Sequence, residues 1–324
     1  MTALVLVVTV GCESSPSGGD AGTTTDAGPT RADAGPPVEG SGCGARIEVA
    51  TFNIRYDDGS SEDSSDPDRW VNTVSPRRDR AIDLIDVIDP DLLGIQEALR
   101  NQVIDLRTAL VDHAFHGAGR DDGLMRGEYA GIFYRRERFD LERAGHFWLS
   151  ETPDTPGTTF PDASNTRMAS WVILRDRETG RAFIFMNTHW DHRGESARLR
   201  SAALIRERLA TVAPDLPAIL SGDLNATTES PEIQALLAPA PLETRPLIDG
   251  YRVVHEVRDV MEATFHGFSG QTRGWRIDYV LHDEGLRTLD ASIVREAPDG
   301  VVSDHYPVRG TLAWTRDGTG ADCP

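Results

Sequence analysis

Six apolar runs in this chain end on groups able to do acid–base, metal or phosphate chemistry. In "LPAILSGDLNATTES", Leu216 to Ser230, a greasy stretch stops at Asp223 and Asn225, and alternation along an extended chain puts that carboxylate and amide on one side. The pattern recurs at Asn53 in "EVATFN", at Glu97 in "DLLGIQE", at Asn187 and His189 in "FIFMNTHWD", at Asp278 in "WRIDYVL" and at Asp304-His305 in "DGVVSDHYPV". Brought to one edge of a sheet sandwich, these ends would collect carboxylates, two imidazoles and three amides in one cleft. Carboxylates so close cannot all stay ionised without a compensating cation. Oxygen-rich ligands suit Mg2+ or Mn2+, with water completing the octahedron.

The elements that must position these groups are readable from periodicity. Ile47, Val49 and Phe52 predict a strand ending at Asn53; Ala81, Leu84, Ile85 and Ile88 have helical spacing that stops near Pro90. A short strand from Leu92 to Ile95 then delivers Gln96 and Glu97, and a helix follows from Asn101 to Leu110. "EYAGIFYRRERFDLERAGHFWL", "MASWVILRDRETGRAFIFMNTHWD" and "GWRIDYVLHDEGLRTLDASIVRE" read as strands with tight turns, the middle one a hairpin across Glu178-Thr179-Gly180. "GESARLRSAALIRERLATV" reads as a helix. This mixture predicts an α+β fold, two sheets packed face to face with helices outside. There is no repeat of fixed period and no glycine-rich nucleotide fingerprint.

In order, "TFNIR", "GIQEA", "NTHWD", "GDLNA", "RIDYV" and "SDHYPV" resemble the motifs of the endonuclease/exonuclease/phosphatase superfamily, the DNase I-like divalent-metal phosphoesterases, from about Ile47 to Leu312. The resemblance implies a four-layer α/β sandwich of two mixed β-sheets with the site at the sheets' edges. It implies Glu97, Asn53 and Asp304 at the metal, Asp223 on the attacking water, and Asn187, Asn225 and Arg167 on substrate phosphate. His305 held by Asp278, and His189 oriented by Glu128, are the imidazoles it implies. The expected cofactor is Mg2+ or Mn2+. Ca2+ has only the acidic stretch from Asp57 to Asp68 to recommend it, and that stretch lacks EF-hand spacing.

The remaining composition bears on place and substrate. Across 324 residues the chain is 39% hydrophobic, enough for one large domain, expected over residues 44–324. "MTALVLVVTVGC" is too short to span a bilayer and resembles a lipoprotein signal, residues 1–12, with Cys12 as the lipidated residue. Residues 13–43 are Gly, Ser, Thr, Ala, Asp and Pro with few large apolar side chains, the composition of a tether. Export to the cell envelope leaves Cys43 and Cys323 to pair as a disulfide. A formal net charge of -19 disfavours a long polyanion as partner. A monomer acting on a phosphate ester is expected, and three readings stay open: a surface phosphodiesterase or phosphomonoesterase, an extracellular nuclease, and a surface binding protein without catalysis.

Overall fold

The computed structural model describes residues 44–57, 69–71, 75–239, 245–297, 300–316 and 322–323. The signal segment, the tether, Cys12, Cys43 and nearly all of the acidic stretch after Asp57 lie outside the described residues. Cys323 is disulfide-bonded.

The first sheet contains β1 (Arg46–Asn53), β2 (Leu92–Ala98), β3 (His113–His116), β4 (Tyr129–Arg135), β11 (Leu286–Ile293) and β12 (Val308–Trp314), in the order β11-β12-β1-β2-β4-β3. The second contains β5 (Phe139–Trp148), β6 (Met168–Asp176), β7 (Ala182–His189), β8 (Ala218–Asp223), β9 (Ile248–Asp249) and β10 (Asp278–His282), in the order β5-β6-β7-β8-β10-β9. Helices α1 (Arg77–Ile88), α2 (Arg100–Ala109), α3 (Glu195–Val212), α4 (Pro231–Leu237) and α5 (Gly250–Val254) complete the described elements. Strand alternation sorts the side chains into three apolar layers. Ile47, Val49, Leu92, Phe183, Phe185 and Ile219 fill the space between the sheets. Ala50, Phe52 and Leu93 pack with Leu84 and Ile85 of α1, while Ile184, Met186 and Leu220 pack with Ile205 and Leu209 of α3. These layers make the four-layer α/β sandwich that the sequence predicts.

Each sheet is built on a parallel pair joined by a helix: β1–α1–β2 in one and β7–α3–β8 in the other. Parallel partners end at the same edge, so Asn53 and Glu97 leave one pair where His189 and Asp223 leave the other. The hairpin at Glu178-Thr179-Gly180 is present as β6–β7. The other two strand–turn–strand stretches are not hairpins, because β4 and β5 belong to different sheets, as do β10 and β11. The step from Arg135 to Phe139 reaches about 13 Å extended, enough to cross the roughly 10 Å between stacked sheets.

Along the facing sides of the strands the residues change from apolar to polar toward this edge. Ile47-Val49 gives way to Thr51-Asn53, Phe183-Phe185 to Asn187-His189, and Ile219 to Ser221-Asp223. Asn187 therefore belongs to the layer beneath the cleft, paired in register with Ser221, while His189 pairs with Asp223 one step farther out. Its Oδ1 accepts from Gln96 Nε2 (2.7 Å) and Ser221 Oγ (3.0 Å), and its Nδ2 donates to the carbonyls of Ile95 and Gly131, both at 2.9 Å. Gly94 leaves room for this knot, since a Cβ there would meet Ser221 Oγ at 2.3 Å and Asn187 Oδ1 at 2.4 Å. The expectation that Asn187 binds phosphate is corrected: its amide is fully buried and ties β7 to β2 and β4. Replacing Asn187 by Leu removes all of these hydrogen bonds from a fully buried layer, and should cost about 3 kcal/mol of stability. Urea unfolding of the two proteins should show the midpoint falling with an unchanged slope.

Candidate active site

The polar strand ends line one cleft of ≈ 520 Å³ that holds Arg55, Tyr56, Glu97, Arg120, Glu128, Asn165, Arg167, His189, His192, Asp223, Asn225, Phe265, Ile277, Asp304 and His305. At its floor is a chain of buried charge. Asp278 Oδ2 accepts from His305 Nδ1 at 2.9 Å, and His305 Nε2 stands 3.7 Å from Asp223 Oδ2. Burial opposes a charge on this imidazole, but Asp278 and Asp223 outweigh it and raise its pKa to about 10. Burial, reinforced by Asp278, pushes the Asp223 carboxyl up to about 7. The floor thus holds a cationic imidazole beside a carboxyl able to change protonation near neutrality.

Asn53 connects this floor to the other carboxylates. Its Nδ2 lies 3.0 Å from both Glu97 Oε1 and Asp223 Oδ2 and 3.5 Å from His305 Nε2. Plain alternation would aim Glu97 at the helix side of the first sheet. A register shift between Ile95 and Ala98, with φ +65° at Glu97, turns it into the cleft instead. Burial raises the Glu97 carboxyl, but the Asn53 hydrogen bond and the charges of His305 and Arg55 outweigh that and hold it below the usual range. Asp304 is raised by burial.

Three non-glycine residues of the cleft, Arg55, Glu97 and Asn225, have left-handed backbones, φ +58°, +65° and +48°. Such conformations cost of order 1–3 kcal/mol each and persist where the surroundings fix them. Arg77, fully buried at the start of α1, donates to the carbonyls of Ile54, Arg55 and Tyr56 and so pins the turn after β1. Thr264 Oγ1 accepts from the Asp278 amide at 3.3 Å and steadies the start of β10.

The second imidazole is held differently from what the sequence implied. Arg167 Nη1 donates to His189 Nδ1 at 2.8 Å, whereas Glu128 Oε2 is 3.9 Å away. Since guanidinium can only donate, the ring proton of a neutral His189 sits on Nε2, which faces Asp223 Oδ2 at 3.5 Å. Burial and the Arg167 charge push the His189 pKa well below its ordinary value, keeping the ring neutral. Arg167 is thus a partner of His189, and Glu128 is the partner of Arg120, with both closest contacts at 2.7 Å.

Asp223 and Asn225 do share the cleft, though not by strand alternation. β8 stops at Asp223, and the left-handed turn at Asn225 brings its amide to 3.2 Å from His189 Nε2 and its N–H to Asp223 Oδ1 at 3.0 Å. Trp190, next to His189 in the chain, points the opposite way and is buried in the core. Arg77, Arg78, Arg135, Arg136 and Arg193, the basic residues that flank the site motifs in the sequence, do not line the cleft. Its arginines are Arg167 and two that the sequence reading missed, Arg55 and Arg120. Arg55 lies two residues after Asn53, and Arg120 lies in the turn-rich "GAGRDDG"; those positions were the available signals.

A cation fits best against Glu97, Asp304 and Asn53 Oδ1. These are oxygen donors of the kind hard divalent ions take, and a positive group, Arg55 Nη1, already stands 3.5 Å from Glu97 and 3.8 Å from Asp304. Ligand atoms of Glu97, His189 and Asp223 lie within 4.8 Å of one another, as do those of Asp223, Asp278 and His305. The imidazoles are poor ligands in those groupings, one being protonated and the other occupied by Arg167.

The sequence matches the endonuclease/exonuclease/phosphatase family over residues 50–305. A protein of that description from Bacteroides vulgatus is 32% identical, with a TM-score of 0.74 over 83% of this chain and 99% of that one. A mannosyl-6-phosphatase of Bacteroides thetaiotaomicron is 31% identical, with a TM-score of 0.71 over 83% of this chain and 100% of that one. A protein of Acanthamoeba polyphaga mimivirus is 24% identical over 209 residues, 55% of this chain; the match spans only 30% of that protein's length. The chain belongs to the endonuclease/exonuclease/phosphatase family, whose members hydrolyse phosphoester bonds.

Proposed function

We propose that this protein is a divalent-metal-dependent phosphoesterase of small phosphorylated substrates, working at the cell envelope. The observation that carries the reaction is the pair at the cleft floor: Asp223, poised near neutrality, 3.7 Å from an imidazolium that Asp278 keeps charged. Ionised Asp223 accepts a proton from water and aligns the oxygen for in-line attack on phosphorus. His305 Nε2–H donates toward the phosphoryl oxygens, where negative charge must be held as the ester bond breaks, and Asn53 Nδ2 steadies Glu97 and Asp223 beside it. Glu97, Asp304 and Asn53 Oδ1 are the residues to hold Mg2+ or Mn2+, which when bound supplies Lewis-acid stabilisation of a phosphoryl oxygen.

A small substrate is supported by the cleft's size and by the absence of Arg77, Arg78, Arg135, Arg136 and Arg193 from its lining. The mannosyl-6-phosphatase of Bacteroides thetaiotaomicron supports a phosphorylated carbohydrate. An envelope location is supported by the apolar segment ending at Cys12 and by the disulfide at Cys323, a bond of oxidising compartments.

Hydrolysis of p-nitrophenyl phosphate, bis-p-nitrophenyl phosphate, plasmid DNA, RNA and sphingomyelin, with Mg2+ or Mn2+ and with excess chelator, tests the reading. Turnover of the small esters should vanish on chelation and return with added ion; turnover that survives chelation refutes metal dependence. Glu97→Gln and Asp223→Asn should each lower kcat by about 10²-fold or more. Thermal unfolding of Asp223→Asn should occur at or above the parent temperature, because the change removes a charge that burial disfavours.

The charge on His305 can be followed separately. In metal-free protein its imidazole should remain protonated through neutral pH and lose its proton only near pH 10, because Asp278 and Asp223 favour the charged form. Asp278→Asn removes the closest of those charges, so the titration seen by NMR should move to lower pH. A midpoint that stays near 10 in that variant contradicts the assignment.

A further inference from the structure

The two ends of the cleft carry opposite charge. Toward one end Glu97 and Asp304 share a single nearby guanidinium, Arg55, which leaves a negative surplus suited to a dication. Toward the other, Arg120 and Arg167 share one carboxylate: Glu128 binds Arg120 at 2.7 Å and stands 3.7 Å from Arg167. Arg167 also meets imidazole nitrogens of His189 at 2.8 Å and His192 at 3.4 Å, which accept a hydrogen bond but cannot offset charge, while Asp223 and Glu97 act on it from farther away. Arginine does not give up its proton in proteins, so this positive surplus is permanent. The side chains are sheltered as well, Arg120 being 15% and Arg167 6% exposed, so water screens them weakly.

The same end is walled. Arg120 sits on a turn closed by Gly119 N to Leu124 O, Arg120 N to Glu128 O and Asp121 N to Arg126 O. Asp122 caps the amides of Leu124, Met125 and Arg126, and the Trp148 indole donates to the Arg120 carbonyl at 2.6 Å. Behind the Arg120–Glu128 pair, against Tyr129, Ala130 and Met168, only ≈ 10 Å³ is open, roughly one water sphere. The apolar lining lies instead on the His305 side, where the Phe265 ring centroid is 5.1 Å from the imidazole.

We propose that Arg120 makes this site selective for a terminal phosphate, a phosphomonoester dianion, over a phosphodiester. The proposal rests on the phosphoesterase reading and specifies its substrate class. A terminal phosphoryl group presents three non-bridging oxygens and close to two negative charges at neutral pH, so it can meet the cation seat and the arginine end together. A diester carries one charge and one fewer free oxygen, so it offers the arginine end less to bind. In the reaction the water oxygen bonds to phosphorus as its proton passes to Asp223, the ester P–O bond breaks with its electron pair on the leaving oxygen, that oxygen takes a proton from solvent while Asp223 returns its own to solvent, and alcohol and orthophosphate are the products.

The test compares kcat/KM for p-nitrophenyl phosphate and bis-p-nitrophenyl phosphate in the full chain with Mg2+, in the parent, Arg120→Gln and Arg120→Lys. The parent should favour the monoester by 100-fold or more. Arg120→Gln should reduce that ratio at least tenfold, mainly through KM for the monoester, and Arg120→Lys, which keeps the charge beside Glu128, should retain part of it. A parent that prefers the diester, or a ratio that Arg120→Gln leaves unchanged, overturns the proposal while leaving a phosphoesterase. If neither ester is hydrolysed, the phosphoesterase reading fails, and titration calorimetry still decides the selectivity. Orthophosphate should then bind at least tenfold more tightly than dimethyl phosphate, with the preference lost in Arg120→Gln; equal affinities refute it.

Discussion

Two carboxylates buried on either side of one imidazole set the terms for everything around them. Asp278 and Asp223 are almost wholly buried, and an isolated carboxylate there would take up a proton rather than stay charged. A cationic His305 between them balances one charge, and the second carboxyl, Asp223, is left poised near 7. Removing the imidazole would not simply delete a catalytic group; it would leave two like charges facing each other in low dielectric. The Asn53 amide, reaching Glu97, Asp223 and His305 at once, extends this balance to the Glu97 carboxylate.

Such a cluster can exist only where the surrounding strands hold it. Two β–α–β units end their parallel strands at the same edge, and the layer beneath, Thr51, Gln96, Asn187 and Ser221, is a hydrogen-bond network. That network supports a polar cleft floor while leaving Gln96 Oε1 as its one side-chain atom without a partner. Backbone strain at Arg55, Glu97 and Asn225 sits directly above it, at the ends of β1, β2 and β8. The rigid strand interiors and the strained strand ends are parts of one device: regular alternation brings the side chains to the edge, and the irregular last residue aims them.

This division also explains what the sequence made legible. Asn53, Asp223, Asp278 and His305 follow from apolar runs ending in polar residues, and all four lie where one edge of the sandwich was expected. Asn187 has the same signature but is one layer too deep, a difference set by its register with Ser221 that no local pattern encodes. Trp190 could have been placed in the core by alternation alone, since its neighbour His189 faces the cleft. Glu128 and Arg167 each have a closer partner than the sequence implied, Arg120 and His189, and Arg120 arrives on a turn far from any strand end. Long-range pairing among charged side chains has no periodicity to read.

The charge arrangement also reconciles an acidic chain with an anionic substrate. A net charge of -19 repels phosphate at long range, so capture must depend on local reversal of the field. Arg55, Arg120 and Arg167 bring three guanidinium groups to a cleft whose carboxylates are each engaged by a cation or an amide. A divalent ion at Glu97 and Asp304 would shift the balance further toward positive, and only then would a dianion find attraction along the whole cleft. Because the cation seat is the negative end, occupation of that seat and binding of phosphate reinforce each other.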